Sequence, residues 1–518
     1  MTAKPSIKRA LISVSDKEGL ADLAKQLHKL GIEVIATGGT ARVIAEANIP
    51  VTNIESITAF PEIMGGRVKT LHPKIFGGLL GRRGVDDETM ESHSIQTIDL
   101  LVVNLYPFHQ TIANPLCSHS DALEKIDIGG PAMLRAAAKN YADVTVIVNP
   151  HDYASVIAEI EENGQTSLVT RKQLAQKVFA HTAAYDAAIA NYLAGSELKT
   201  LLLKKKATLR YGENPQQHAH LYIDLKQSIA NSLAQANQKQ GKSLSFNNLL
   251  DSHTALNCVR AFDPACPTCV IVKHATPCGV AQGHSLENAY FSALATDPIS
   301  AFGGIIAFNQ SLDAATAQAI LSKQFVEVLL APKFTTEAIT ILAAKKNIRI
   351  LETGYPHNTP LQSAQSTFHS VSGGLLIQDA DENPDPSSTF KIVTQRAPTP
   401  QEEGDCLFAW QVVRYVKSNA IVYAKNAQTL GIGAGQTSRV FSATIAQMKA
   451  QEAGLSLTGA VAASDAFFPF ADGIEVAAAA GITAVIQPGG SKRDLEVIAV
   501  ANKLNLAMIF TNIRHFRH

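Results

Sequence analysis

Short apolar runs, each closed by a Gly-, Ser- or Thr-rich turn and followed by a helical pattern, recur along this chain and constrain its fold more than any other feature. Residues 9–15 (Arg-Ala-Leu-Ile-Ser-Val-Ser) read as a buried strand. Leu20, Leu23, Ala24, Leu27 and Leu30 then fall at helical spacing, with Gly31 placed to end the helix. Glu33-Val-Ile-Ala-Thr37 is the next strand, and Gly38-Gly39 turns the chain into a helix starting near Thr40. Leu100-Leu-Val-Val-Asn-Leu and Val144-Thr-Val-Ile-Val repeat the pattern. Strands apolar at successive positions, alternating with helices, predict a parallel sheet covered on both faces. Leu174, Val178, Tyr185, Ile189 and Tyr192 mark a longer helix over 171–193. The stretch from Gly195 to Lys206, ending in solvated Lys204-Lys-Lys, reads as the seam to a second domain.

Beyond residue 207 the pattern stays α/β and carries an internal echo. Val270-Ile-Val-Lys-His…Gly279-Val-Ala is paralleled by Ile421-Val-Tyr-Ala-Lys-Asn…Gly431-Ile-Gly-Ala-Gly, and Ser300-Ala-Phe-Gly-Gly by Asp465-Ala-Phe-Phe-Pro. The echo fits two related subdomains that build one site from equivalent strand ends. The acidic, Pro-rich stretch 379–388 is a candidate boundary between them. The expected division is 1–199 and 200–518, the latter split into about 200–375 and 376–518.

A chain of 518 residues has room for several domains, and 46% hydrophobic against 17% charged residues supplies their cores. Lys+Arg and Asp+Glu balance at 45 each, so there is no global footprint for nucleic acid or an anionic membrane. Any anion must meet a local cluster. No apolar run approaches the roughly 20 residues of a spanning helix, and Met1-Thr-Ala-Lys-Pro-Ser lacks a signal-peptide core. A soluble, cytoplasmic protein is expected.

Two segments carry chemistry near the N-terminus. Ser13-Val-Ser-Asp-Lys17 ends the first strand and Thr37-Gly-Gly-Thr40 the second, each offering hydroxyls and N–H groups at a helix start, where an anion is favoured. Gly65-Gly-Arg67-Val-Lys69-Thr-Leu-His72-Pro adds cations in a punctuated loop. Asn104-Leu-Tyr106-Pro ends another strand, and Asp127-Ile-Gly-Gly-Pro leads into a helix carrying Arg135 and Lys139.

Farther on, Lys273-His274-Ala-Thr-Pro-Cys-Gly follows the apolar run Cys269-Val-Ile-Val, placing a cation beside an imidazole at the end of what reads as a buried parallel strand, with Pro277 and Gly279 forcing a tight turn. Cys266-Pro-Thr-Cys269, His274 and Cys278 also invite a zinc reading. The zinc nucleobase deaminases need Pro-Cys-x-x-Cys, and here Pro277-Cys278 is followed by Gly, Val and Ala281. The six cysteines are therefore read as reduced thiols, with no metal required.

Together with Arg210-Tyr-Gly-Glu-Asn-Pro and Ser464-Asp-Ala-Phe-Phe-Pro-Phe, these motifs resemble the bifunctional purine-biosynthesis family that fuses AICAR transformylase to IMP cyclohydrolase. The likeness runs from Ser13 to His518. It implies an N-terminal methylglyoxal-synthase-like parallel-sheet domain and a C-terminal region of two cytidine-deaminase-like α/β subdomains. It also implies formyl transfer from 10-formyltetrahydrofolate to AICAR (5-aminoimidazole-4-carboxamide ribonucleotide), then closure of formyl-AICAR to inosine monophosphate (IMP) with loss of water, in a homodimer. By family correspondence Lys69, Tyr106, Asp127 and Lys139 surround the closing ring. Ser13, Lys17, Thr37, Gly38, Gly39, Thr40, Arg67 and Thr70 hold its phosphate, and the N–H groups of Ile128 and Gly129 face the developing oxyanion. For transfer, His274 is the base, Lys273 meets charge on the formyl oxygen, and Asn426 orients the imidazole or carboxamide. Arg210 and Tyr211 hold ribonucleotide; Phe302, Gly303, Phe467 and Asp472 hold folate or base; and His518 enters the site. Phe76, Gln216, His253 and Ala471 depart from the family pattern. A zinc deaminase and a non-catalytic nucleotide sensor are the alternatives.

Overall fold

The computed structural model describes residues 7–195, 197–224, 231–355, 366–381 and 389–518. They form two compact units, the first running to Leu202 and the second from Leu203 on, apart from Asp224, which groups with the first.

In the first unit, Arg9–Val14 (β1), Glu33–Ala36 (β2), Thr52–Asn53 (β3), Leu100–Asn104 (β4) and Thr145–Ile147 (β5) form a five-stranded sheet in the order β3-β2-β1-β4-β5. Every pairing is parallel, as the continuous apolar runs predict. Leu11, Ile12, Leu100, Leu101 and Val146 are fully buried because helices cover both faces. The helix Leu20–Lys29 contributes Leu20, Leu23, Ala24 and Leu27, and the long helix Leu168–Ala194 contributes Leu174, Val178 and Tyr185. The chain reverses direction across the sheet at β1 and β4. That topological switch point opens a crevice at the carboxyl ends of the strands.

The second unit begins with a hairpin of Leu203–Thr208 (β6) and His220–Asp224 (β7). The Lys204-Lys-Lys run therefore lies within a strand, its side chains exposed, rather than in an irregular seam. The remaining strands are Asn237–Gln240 (β8), Thr268–Lys273 (β9), Thr276–Gln282 (β10), Gly304–Phe308 (β11), Val326–Ala331 (β12), Arg349–Glu352 (β13), Ser366–Val371 (β14), Gly374–Asp379 (β15), Lys391–Ile392 (β16), Ile421–Lys425 (β17), Gln428–Gly433 (β18), Ala460–Ser464 (β19), Ile482–Gln487 (β20) and Ala507–Phe510 (β21). Strands β14 and β15 pair only with each other, and twelve others form one mixed sheet in the order β16-β21-β20-β19-β17-β18-β10-β9-β11-β12-β13-β8. The expected subdomain division at 375/376 falls inside β15, and most of the 379–388 stretch lies outside the described residues.

This sheet carries out the internal echo. Strands β9 to β13 repeat as β17 to β21: an antiparallel hairpin, then a strand antiparallel to its first arm, then two parallel neighbours. The halves meet where β10 runs antiparallel to β18. In that seam the Thr429 hydroxyl accepts the Val280 N–H (2.9 Å) and bonds the Thr296 hydroxyl (2.9 Å), so the two halves share one interior.

Two expectations change here. β9 is antiparallel to both its neighbours, because a run apolar at every position reports only that both faces are covered, not the direction of the next strand. The tight turn sits at His274-Ala275, both left-handed (φ 53° and 56°), while Pro277 and Gly279 lie within β10.

Candidate active sites

At the switch point of the first unit, short polar side chains knit adjacent strand ends together. The Ser13 and Thr37 hydroxyls lie 2.9 Å apart. The Thr40 hydroxyl accepts the Val14 N–H (3.2 Å) and the Lys17 ammonium (3.1 Å). Thr37 starts the helix Gly38–Glu46 without capping it through its side chain, and its carbonyl takes the N–H groups of Thr40 and Ala41, which leaves those of Gly38 and Gly39 for an outside acceptor. A Cβ at Gly38 or Gly39 would meet nothing within 4 Å, so the space beside those groups is open. Asn104, at the end of β4, accepts the Asp16 N–H (3.0 Å) and donates to the Asp16 carbonyl (3.0 Å), fixing the loop that carries Lys17. Its role was missed in the sequence, although its place at a strand end next to the Ser13–Lys17 loop was the available signal.

Burial and then the like charge of Lys69 lower the Lys17 pKa. Two ammonium groups thus repel one another beside hydroxyls and free helix donors, an arrangement that a phosphate relieves. Lys69 also acts on Asp127, whose pKa is raised by burial, against the opposing effects of the Gly130 N–H (2.8 Å) and of Lys69. The loop bearing Lys69 packs against the helix Gly129–Lys139, since a Cβ on Gly129 would come within 2.5 Å of the buried Thr70 hydroxyl. Tyr185 fixes the approach to that helix, accepting the Asp127 N–H (2.8 Å) and donating to the Lys125 carbonyl (3.1 Å).

Ser13, Lys17, Thr37–Thr40, Lys69, Thr70, Asp127 and Gly129 are therefore gathered in two linked clusters. Tyr106 (43% exposed) and Ile128 (60% exposed) stand open to solvent. Arg67 instead pairs with Glu124 on the surface. Lys139 ends the helix that Gly129 begins, so ten residues at the helical rise set its backbone about 15 Å from that of Gly129. Phe76, where the family pattern has His, packs against the core.

In the second unit, Lys273 ends β9 and donates to the carbonyls of Phe302 (3.0 Å) and Gly303 (3.2 Å), so its ammonium is held at the start of β11. His274 is exposed on the adjoining turn. Both line a cavity of about 310 Å³ with Arg210, Tyr211, Gly303 and Asp251. Arg210, Lys242, Lys273 and Arg349 outnumber Asp251 and Glu327 in its wall, and Arg349 pairs with Glu327 (2.5 Å), leaving net positive charge for an anionic ligand. Arg210 lies over the Tyr211 ring, 5.1 Å from its centroid. A second cavity of about 290 Å³ lies on the other side of the turn, lined by Lys273, His274, Ile432, Ile445 and the Lys449–Asp297 ion pair.

The structure does not bring Asn426 to this place. Asn426 and Ala427 form the equivalent turn (φ 53° and 52°) of the β17–β18 hairpin. The Ala427 carbonyl accepts the N–H of Gln282, the last residue of β10, whereas His274 precedes its first. The length of β10, seven residues at the extended rise, thus lies between the turns, which places them at opposite ends of the central strands, about 20 Å or more apart. Equivalent strand ends of one chain do not converge on one site.

The second half of the echo also shifts. Phe302 precedes β11 but Phe467 follows β19; the counterpart of the Phe302 carbonyl is that of Thr458, which accepts from Lys425 (2.8 Å). Phe467 is half-buried and Asp472 opens a helix, neither lining the two cavities. Asp465 is structural: fully buried, it pairs with Arg439 (2.8 Å), and its carbonyl accepts the His515 N–H (3.0 Å). The tail beyond β21 is pinned rather than frayed. His515 is buried against Asp381 (2.6 Å) and Trp410, and Arg517 reaches Thr254 (3.3 Å) on the helix Phe246–Arg260. His518 is exposed and lines neither cavity. Among the described residues no His, Cys, Asp or Glu side chains gather as a metal-ligand set.

A parallel-sheet unit whose switch point gathers hydroxyls, ammonium groups and helix N–H groups, and a mixed-sheet unit with a cationic cavity of its own, suit an enzyme of anionic, nucleotide-like substrates. The chain belongs to the AICARFT/IMPCHase bienzyme family, whose model matches residues 137–449, more than half of the chain, while an MGS-like domain model matches residues 19–132. A solved structure titled "Crystal structure of ForH" is 37% identical over 36% of this chain and 100% of that chain, with a TM-score of 0.33. Membership makes the protein a formyltransferase and IMP cyclohydrolase of late purine biosynthesis, acting on AICAR and formyl-AICAR with a folate co-substrate.

Proposed function

We propose that the two activities belong to separate sites: cyclisation at the switch point of the first unit and formyl transfer at the Lys273–His274 turn. The observation that carries this reading is Lys69. Its charge bears on Lys17 on one side and on Asp127 on the other, linking a phosphate-binding cluster to a half-buried acid. Ring closure needs both, a grip on the ribonucleotide phosphate and a group that handles the proton as the carboxamide nitrogen attacks the formyl carbon. Ser13, Lys17 and Thr37–Thr40 hold the phosphate, and Lys69, Tyr106 and Asp127 face the reacting groups. The N–H groups of Ile128 and Gly129 receive the developing oxyanion.

At the second site the 5-amino group of AICAR is a weak nucleophile, so a base must take its proton as the formyl group leaves 10-formyltetrahydrofolate. His274 fills that role, Lys273 meets the charge on the formyl oxygen, and Arg210 with Tyr211 holds the ribonucleotide in the cationic cavity. Asn426, at the opposite end of the central strands, reaches such a site only from a second chain. The protein is accordingly a cytoplasmic homodimer whose transformylase sites lie between subunits.

Selective loss tests the assignment. His274→Ala is expected to lower formyl transfer about 100-fold, the scale of a positioned base, while added formyl-AICAR is cyclised at the normal rate. Lys69→Ala is expected to do the reverse, so that formyl-AICAR accumulates. Loss of both activities in a folded His274→Ala protein would require one composite site instead.

A further inference from the structure

Ala275 is not a residue that favours the left-handed conformation, yet it adopts it with φ of 56°, directly after His274 at 53°. Such a turn persists where its surroundings hold it. What holds this one is Asp251, on the helix Phe246–Arg260, whose carboxylate accepts the Ala275 N–H at 2.6 Å. Asp251 lines the same cavity as His274 and Lys273, and the charges of both residues act on it. Burial raises its pKa while the Ala275 N–H opposes that rise, so the turn is the acceptor's own partner rather than a chance neighbour.

The second half of the unit repeats the device. Asp405, on the helix Pro400–Val413 and almost fully buried, accepts the Ala427 N–H at 2.9 Å beneath the Asn426 turn. In each hairpin the lysine before the turn is also tied to carbonyls ahead of the next strand, Lys273 to Phe302 and Gly303, Lys425 to Thr458. The residue displayed on the turn differs between the halves, His in one and Asn in the other, but the clamp is the same. A contact that recurs where the displayed residue has changed serves the turn and not a particular side chain.

We propose that Asp251 is a positioning residue for formyl transfer: it holds the left-handed turn that presents Lys273 and His274 to the reacting groups, and Asp405 holds the Asn426 turn in the same way. The inference rests on His274 acting at this site, and it places neither aspartate in contact with substrate. An asparagine at either position keeps a carbonyl oxygen for the turn N–H, and glycine at 275 would adopt the left-handed conformation without a clamp.

The test compares Asp251→Ala, Asp251→Asn, Ala275→Gly with Asp251→Ala, and His274→Ala in the full-length protein, with cyclisation of added formyl-AICAR as an internal control. Asp251→Ala is expected to lower kcat for formyl transfer at least about tenfold, with KM for AICAR moving less than about threefold. Asp251→Asn and the Ala275→Gly double variant are expected to recover most of that loss, and cyclisation stays unchanged throughout. Asp405→Ala and Asp405→Asn should repeat the pattern. Full activity in Asp251→Ala, or an Asp251→Asn variant as slow as Asp251→Ala, overturns the inference. Should Asp251→Ala fail to fold, Asp251→Asn against wild type still decides: near-normal kcat supports the clamp and a collapse in kcat rejects it. If instead His274→Ala transfers formyl groups normally, the failure lies in the site assignment and not in the clamp.

Discussion

At the scale of single residues, two glycines in equivalent positions of the second unit lie hard against helix backbone. A Cβ on Gly279 would sit 2.0 Å from the Ala293 carbonyl oxygen, and one on Gly431 would sit 2.1 Å from that of Ala446. Both obstacles are helix backbone, which cannot rotate away. Gly279→Ala and Gly431→Ala are each expected to destabilise the second unit by about 3 kcal/mol, at the upper end of overpacking costs. Gly404→Ala, inside a helix with nothing within 4 Å of the new methyl, is expected to be neutral or stabilising by about 0.5–1 kcal/mol. Urea unfolding of the three variants checks the contrast, and similar midpoints for all three would refute it. This scale also shows what a sequence hides. Lys273, His274 and the Thr37–Thr40 turn could be picked out because residue type and position at a strand end suggest chemistry, whereas Arg210 came only through the family resemblance. Gly279 was misread as a turn residue, since a glycine that admits a helix backbone and one that bends a chain look alike. Asp251 and Asp405 gave no signal, because each meets its turn more than twenty residues away along the chain.

At the scale of elements, the parallel sheet of the first unit was readable because each strand is covered on both faces and each is followed by its helix. The β9–β10 hairpin was not, because a central antiparallel strand is equally apolar. Local capping chemistry is where an element's stability becomes measurable. The helix Pro400–Val413 starts with Thr399 and Glu402 in a reciprocal capping box, and Arg396 grips the Glu402 carboxylate with two hydrogen bonds (2.8 and 2.9 Å). The Arg396 bonds, chief among several, bring the Glu402 pKa down to about 2. A carboxyl held below its unfolded value stabilises the fold fully above that unfolded value and loses the contribution as pH falls through the folded one. Glu402→Gln is thus expected to destabilise the second unit by about 2 kcal/mol at pH 7. The gap to wild type should close as the pH is lowered from about 4.5 towards 2, the interval between the ordinary and the depressed pKa. Denaturant unfolding at a series of pH values measures this directly; a gap that persists at the lowest pH would show that the pair contributes by shape and not by charge.

At the scale of the whole molecule, the echo between β9–β13 and β17–β21 makes a pseudo-symmetric sheet whose two turns lie at opposite ends of its central strands. That arrangement was not legible in the sequence, where equivalent strand ends were expected to converge. It gives the proposed dimer a specific role. If each transformylase site combines the His274 turn of one subunit with the Asn426 turn of another, a symmetric pair of chains has two such sites, each drawing on both subunits. His274→Ala homodimers then lack the base in both sites, and Asn426→Ala homodimers lack the orienting amide in both. In a mixed dimer one site carries both substitutions and the other carries neither. Mixing the two inactive variants under conditions that exchange subunits is therefore expected to restore formyl transfer to about a quarter of the wild-type rate, because half of the dimers are mixed and half of their sites are intact. Cyclisation, which the proposal assigns to the first unit, should be unaffected before and after mixing. Exchange verified by tagged subunits with no recovery of formyl transfer would place both groups in the service of a single chain, or remove Asn426 from the site altogether.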